Sequence, residues 1–222
     1  MGPPEILPSH MRVATGSVNI PIAKFPTAAS STEAPDPRSI AQKFVEQFNS
    51  ALQAQDFDAL SSFFINEGYW RDHLALTWAF RTLNSPPKIK EFLQTSATSK
   101  DGFRLKKISI DDGSAMRAPK VMPADPEGAV LGVNFFLTIE TVIGTGAGTV
   151  TLVERDGAWK IFTFYTRLEE LKGHEQTVNG RRPRGVAHGH NPDRRNWAER
   201  REEEASMQDG HGPAVLIIGK LV

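Results

Sequence analysis

Apolar residues recur at two different periods along this chain, and the period changes near its middle. From Asp36 to Leu52, Ile40, Phe44, Val45, Phe48 and Leu52 keep the three- and four-residue spacing that lines one face of a helix. Asp36 can cap that helix and Pro37 suits its first turn, and Gln53–Asp56 is expected to end it. Phe57, Leu60, Phe63 and Phe64 predict a second, shorter helix. A third apolar stretch, EGYWRDHLALTWAF at 67–80, is less regular and falls in the helical half of the chain. Ser85-Pro86-Pro87 marks another helix start, with Ile89, Phe92 and Leu93 facing inward.

After Asp101-Gly102 the period falls to two. Phe103 and Leu105 alternate with polar neighbours, and residues 111–128 have the composition of a loop. Leu131, Val133, Phe135, Leu137 and Ile139 then alternate strictly, which predicts a half-buried strand. Gly144–Gly148 reads as a glycine-rich turn between strands. Thr149–Glu154 and Ala158–Thr166 flank Arg155-Asp156-Gly157, a hairpin signal, and LEELKG at 168–173 reads as a helix closed by its glycine. Helices first and sheet afterwards predict an α+β fold, with one helical layer packed on a curved antiparallel sheet and a cone between them.

Composition narrows the function. The 222 residues carry 26 basic and 26 acidic side chains, so no excess of positive charge points to nucleic acid as the main partner. There is no cysteine, which excludes disulfides, thiol nucleophiles and thiolate metal sites. The N-terminus lacks the basic start and apolar core of a secretion signal, and no apolar run approaches the roughly 20 residues that span a bilayer. A soluble cytoplasmic protein is expected. Residues 1–37 hold seven prolines and read as a flexible arm. Residues 173–212 read as a charged linker: 181–201 carry seven arginines against Asp193 and Glu199, and Glu202–Glu204 reverse the sign. Trp197 is the large aromatic in that linker, and such a residue usually packs on something.

Several segments, in order, resemble a known family: "FFINEGYWRDHLALTWAFRTLNSPPKIKEFL", "GAWKIFTFYTRLEELKG", "RRPRG", "NWAERR" and "PAVLIIG". Together they resemble the N-terminal part of fungal flavin-containing monooxygenases related to the plant YUCCA type, over about residues 38–219. In that family a nuclear-transport-factor-2-like (SnoaL-like, cystatin-like) cone domain precedes the flavin-binding domain, which implies such a domain at 38–172. In the family, the strand matching Val215–Ile218 enters a GxGxxG turn, where glycines let the flavin pyrophosphate approach the backbone at a helix N-terminus. Gly219 matches the first of those glycines, and Lys220, Leu221 and Val222 follow it. The resemblance therefore implies that 213–222 is the first strand of a truncated flavin-binding domain. FAD and NADPH would serve the full-length family, and this chain would hold no cofactor and lack the oxygen chemistry. The rival reading makes VLIIG an edge strand of the cone domain itself.

A cone of this shape implies a pocket, and some relatives are dehydratases, isomerases or cyclases that move protons with a buried His, Asp or Tyr. The weak candidates are Asp72, His73 and Tyr69, with Trp70, Trp78 and Tyr165 as pocket lining. Asp72 and His73 are adjacent, and adjacent residues of a helix do not face each other, so an acid/base pair would need a bend. Arg71 and Asp72 equally suit an ion pair. Tyr165 shares a period-two stripe with Trp159, Ile161 and Thr163. His174, His188, His190 and His211 lack the partners of a structural metal site, so no metal is expected. GTGAG at 144–148 lacks the GK[ST] ending of a phosphate loop. A homodimer through the open sheet face and a small apolar ligand are the partners such a cone allows; nucleic acid and membrane are not expected.

Overall fold

The structure is a computed structural model, described here for residues 24–26, 36–100, 102–181 and 196–206. The chain divides into two compact units, Met1–Glu175 and Gln176–Val222. Gly219, the strand Val215–Ile218, His188, His190, His211 and most of the proline-rich arm lie outside the described residues.

The first unit begins with α1 (Pro37–Ala54). Asp36 accepts from the Arg38 N–H at its start, and Gln55 closes it in the left-handed region at φ 53°. α2 (Phe57–Ser62) is capped by Asp56, which accepts from the Ala59 N–H at 2.9 Å. Phe64 opens β1 (Phe64–His73) rather than ending a helix, and β2 (Phe80–Asn84) follows. The less regular stretch at 67–80 is thus strand, turn and strand. α3 (Pro86–Thr98) buries Ile89, Phe92 and Leu93 as its spacing predicts. β3 (Leu105–Ile110), β4 (Lys120–Pro123), β5 (Leu131–Thr141), β6 (Gly144–Arg155) and β7 (Ala158–Leu171) complete the sheet. β4 falls inside the stretch read as loop, and LEELKG continues β7 before turning at Gly173, φ 79°.

The strand order is β2-β1-β7-β6-β5-β3, with β4 also paired to β5. The sheet is mixed: β1 runs parallel to β7 and the other pairings are antiparallel. An entirely antiparallel sheet is therefore corrected at that one seam: α3 carries the chain from edge strand β2 to the opposite edge strand β3, and the antiparallel run β3-β5-β6-β7 returns across the sheet to meet β1 in parallel. At the β6–β7 hairpin, Asp156 and Gly157 take φ 54° and 75°, the pair of positive values a two-residue turn of type I′ needs.

Glycine has a different task earlier in β6. Gly144, Gly146 and Gly148 are strand residues, not a turn. A Cβ on Gly146 would fall on the carbonyl oxygen of Arg167, and one on Gly144 on that of Glu170. The side-chain-free positions let the β7 backbone close in, and the register shifts beside Gly146 and again between Thr151 and Leu152. Such bulges bend a sheet.

Between sheet and helices the space is filled. Trp70, Phe48, Phe135, Phe164, Leu60 and Ile89 are all fully buried there. Phe64 stacks on Trp70 at 6.0 Å, Phe92 meets Trp70 edge-on at 5.9 Å, and Phe48 meets Phe164 edge-on at 5.8 Å. Asn49 of α1 acts as a strand surrogate: it donates to the Ile108 carbonyl at 2.8 Å and accepts from the Ile108 N–H at 2.9 Å. That ties α1 to the edge strand β3 and covers part of its open hydrogen-bonding edge. A smaller cluster, Ile65, Val130, Val153 and Phe162, lies apart from this core, and Phe25 packs against Phe162.

In the second unit, α4 (Trp197–Ser206) starts with a reciprocal capping box. The Glu199 N–H donates to the Asn196 side chain at 2.9 Å, and the Asn196 N–H donates to the Glu199 carboxylate at 2.7 Å. Trp197 is exposed, with the Arg201 guanidinium 5.0 Å above its ring. No helix of the described residues is long and apolar enough to cross a membrane.

Candidate functional site

The WRDH segment lies on β1, so its side chains alternate between faces. Trp70 and Asp72 point inward, opposite Phe164 and Thr166 of β7; Arg71 and His73 point outward, opposite Tyr165 and Arg167. Asp72 and His73 therefore sit on opposite sides of the sheet and cannot exchange a proton. The expected Arg71–Asp72 ion pair fails for the same reason.

Asp72 is fully buried. Its Oδ1 accepts from the Thr166 hydroxyl at 2.6 Å and its Oδ2 from the Leu76 N–H at 3.1 Å. Thr166 in turn accepts from the Trp70 indole N–H at 2.8 Å. Burial pushes the Asp72 carboxyl up to about 6, and the donors from Thr166, Leu76 and Ala75 oppose that rise. The carboxylate holds the turn after β1, where Leu74 takes φ 62°, a costly conformation for a branched side chain.

The outer face carries a different network. The Arg71 Nε–H donates to His73 Nε2 at 2.9 Å, and Arg71 also donates to the Thr82 hydroxyl at 2.8 Å. A guanidinium can only donate, so His73 Nε2 is the acceptor and the ring proton sits on Nδ1. Nδ1–H then donates to the Tyr165 oxygen, 3.2 Å away. Burial and the Arg71 charge hold the His73 pKa below its usual value. Phe80, 67% exposed, meets the His73 ring edge-on.

Tyr165 does not share a face with Trp159 and Ile161. Thr163 pairs with Thr151 and Ile161 with Leu152, leaving Phe162 as the extra residue of a bulge. That residue flips the parity of β7: Ile161 and Phe164 both enter the core, while Tyr165 is turned outward. The candidate residues are thus dispersed. Trp70 is core, Tyr69 packs beside the smaller outer cluster, and Trp78 is 59% exposed against Phe103. Thr166, which sequence reasoning missed, is the hub of the inner network; a lone threonine in a strand gives no signal of that.

A cleft lies at the far end of β7, between α1 and the β6–β7 hairpin. Its volume is about 580 Å³, and Phe44, Phe63 and Trp159 are among its walls. Trp159 and Thr166 are separated by seven residues of β7, about 23 Å at strand rise, so Asp72 does not reach the cleft. Among the described residues, no group of three or more His, Asp or Glu side chains could hold a metal ion.

No protein-family model and no curated protein matches this sequence. Among solved structures the chain is similar to Aln2 from a Streptomyces species, at 16% identity and TM-score 0.44, covering 62% of this chain and 94% of that one. It is similar to an NTF2-like protein of unknown function from Pseudomonas putida, at 9% identity and TM-score 0.41, covering 60% and 87%. It is also similar to a protein with a cystatin-like fold from Nostoc punctiforme, at 12% identity and TM-score 0.40, covering 59% and 90%.

Proposed function

We propose that this chain is a non-catalytic α+β domain serving a flavin- and NADPH-dependent monooxygenase of the kind its ordered segments resemble. The observation that carries the non-catalytic half is the state of Asp72. It is the carboxylate best placed for interior acid/base chemistry, and both its oxygens are committed to the Thr166 hydroxyl and the Leu76 N–H. The interior beside it is occupied by Trp70 and Phe164, whose ring centroids are 4.8 Å apart. The monooxygenase half rests on the resemblance, in which Gly219 is the matching cofactor-binding position.

The glycine-rich stretch Gly144–Gly148 is strand interior closed off by the carbonyl oxygens of β7. Flavin and NADPH chemistry belongs to the family's other domains, and this domain contributes a rigid body beside them. The test is spectroscopic and genetic. The purified 222-residue chain is expected to be colourless near 450 nm and to leave NADPH unoxidised, and the native message is expected to continue in frame into a glycine turn. Stoichiometric flavin on this chain would refute its lack of cofactor. A native product without any flavin domain would refute the monooxygenase role.

One observation favours a second reading, a stand-alone acid/base enzyme: the Asp72 carboxyl is pushed up to about 6 inside the fold, where a proton donor works near neutral pH. That reading requires the interior to admit a ligand at Asp72. A dehydratase or isomerase activity lost in Asp72→Asn with the fold intact would establish it.

A further inference from the structure

The outer face of the sheet carries exposed side chains at Arg71, Thr138 and Arg167, yet nearer the β6–β7 hairpin it holds apolar ones that solvent hardly reaches. Val153 is fully buried, and Ile65, Val130 and Phe162 are nearly so. Val153 lies opposite Lys160, one residue away from the inward pair Leu152 and Ile161, and the bulge in β7 turns Phe162 to the same side. Two pieces of chain lie against this patch. One is the loop that ends at Val130, clasped by Asp125, which accepts from the Val130 N–H at 2.7 Å and the Ala129 N–H at 3.2 Å. The other comes from the N-terminal arm: Phe25 packs on Phe162 with ring centroids 6.4 Å apart, and Pro26 is buried. Phe25 is the only aromatic residue among the first 35.

We infer that Ile65 and Phe162, backed by Val153 and Val130, form a docking site for an extended aromatic–proline segment, and that Lys24-Phe25-Pro26 of this same chain is its occupant. A buried proline leaves no N–H unsatisfied, and it holds the residue before it in the extended region. The pair therefore arrives with its backbone largely preset and loses little entropy on docking. The aromatic ring adds apolar area and a ring contact on Phe162. Charge does not select this occupant: Glu67 and Asp156 share the adjoining hollow, of about 240 Å³, with Arg155 and Lys160. Phe25 borders that hollow and stays 52% exposed, so one face of its ring and the proline hold the segment. Nine residues, 27–35, tether it to the Asp36 cap of α1, which sets an effective concentration on the order of millimolar. That favours docking in cis over the arm of a second copy. The site is independent of the monooxygenase role and of Asp72.

The test follows the Ile65 methyl and Phe162 ring resonances of the full chain. Phe25→Ala removes a ring from beside them, so both are expected to shift while the Trp70 indole N–H resonance stays in place. In the unaltered chain their positions are expected to be the same at about 10 µM and about 1 mM, as docking in cis requires. A synthetic peptide of residues 18–30 is expected to saturate the Phe25→Ala chain and restore the unaltered positions. It should bind the unaltered chain more weakly by about tenfold or more, because the arm competes there. The same peptide carrying Phe25→Ala should bind neither chain. Unmoved Ile65 and Phe162 resonances in the Phe25→Ala chain would overturn the inference. So would equal binding of the peptide to both chains, or no saturation of the variant at millimolar peptide. Positions that change on dilution of the unaltered chain would give the site to the arm of a second copy and overturn its occupation in cis.

Discussion

Two faces of the same two strands behave as different materials. On the inner face of β1 and β7, Trp70, Asp72, Phe164 and Thr166 are fully buried or nearly so, and their polar atoms bond to one another or to the turn after β1. On the outer face, Arg71, His73 and Tyr165 form a chain of hydrogen bonds that ends at solvent. One residue of offset separates them. The inner set fixes the fold, so altering it changes stability. The outer set is partly exposed and lies off the main core, so altering it changes stability less than altering the inner set.

The largest expected break in that contrast is Trp70→Ala. It removes a fully buried indole that meets Phe64, Phe92 and Phe164 and donates to Thr166. A loss of about 3–5 kcal/mol in urea unfolding is expected, the usual cost of a large aromatic deleted from a core. Trp78→Ala, on an exposed ring against Phe103, is expected to cost below about 1 kcal/mol. Equal losses would erase the distinction between the two tryptophans.

Asp72 sharpens the comparison at the level of single atoms. Asp72→Ala strands the Thr166 hydroxyl and the Leu76 N–H, and each orphaned group costs about 1–3 kcal/mol. A total of about 2–6 kcal/mol is expected. Asp72→Asn keeps an acceptor for Leu76, can donate to Thr166 and removes the buried charge, so no loss, and a gain of up to about 3 kcal/mol, is expected at pH 7. A large loss in the Asn variant would mean that the negative charge itself is needed.

The two faces should also respond to pH with opposite sign. The folded chain keeps the Asp72 proton up to about pH 6, whereas the unfolded chain releases it near 3.8. The folded state binds more protons in that window, so this group's contribution is greatest below pH 3.8. It falls as pH rises to about 6 and is level above, by on the order of 3 kcal/mol. Among the described residues, no charged side chain hydrogen-bonds Asp72; its partners are Thr166 and the backbone of Ala75 and Leu76. His73 runs the other way. Its folded pKa lies below 6.5, with Arg71 and Tyr165 as its side-chain hydrogen-bond partners. Its contribution is therefore full above 6.5 and lost as pH falls below that. Urea midpoints from about pH 4 to 7 for Asp72→Asn and His73→Gln, each subtracted from the unaltered chain, should slope in opposite directions. Slopes of the same sign would break the assignment of faces.

Legibility in the sequence follows the same physics. The Asp36 cap, the alternation of β5 and the Asp156-Gly157 turn were readable because each is a local signal with a local cause. The strand character of β1 was hidden because Gly68 and Asp72 stand among its inward positions beside Phe64 and Trp70, and the register shifts between Phe64 and Tyr69, so no regular apolar alternation shows. The glycines of β6 read as a turn because a close approach of β7 leaves no mark on the sequence of β6. The parity of Tyr165 depended on the bulge at Phe162, which is set by pairing with β6 rather than by β7 alone. The two-faced arrangement of WRDH was therefore out of reach until the strand and its bulge were seen together.

The smallest expected effect in stability is the most informative about the outer face. Tyr165→Phe removes an acceptor at the end of the His73 chain, on a half-buried position, and should cost below about 1 kcal/mol. Its effect should instead appear in the imidazole. With Arg71 donating to Nε2, the proton stays on Nδ1 whether or not Tyr165 can accept it, so ring nitrogen spectra of Tyr165→Phe should still report the Nδ1–H tautomer. Arg71→Gln removes the charge that disfavours a protonated ring, and the His73 pKa should rise toward its ordinary value while stability barely moves. A tautomer that switches in Tyr165→Phe and stays fixed in Arg71→Gln would make Tyr165, not Arg71, the residue that sets the proton on His73.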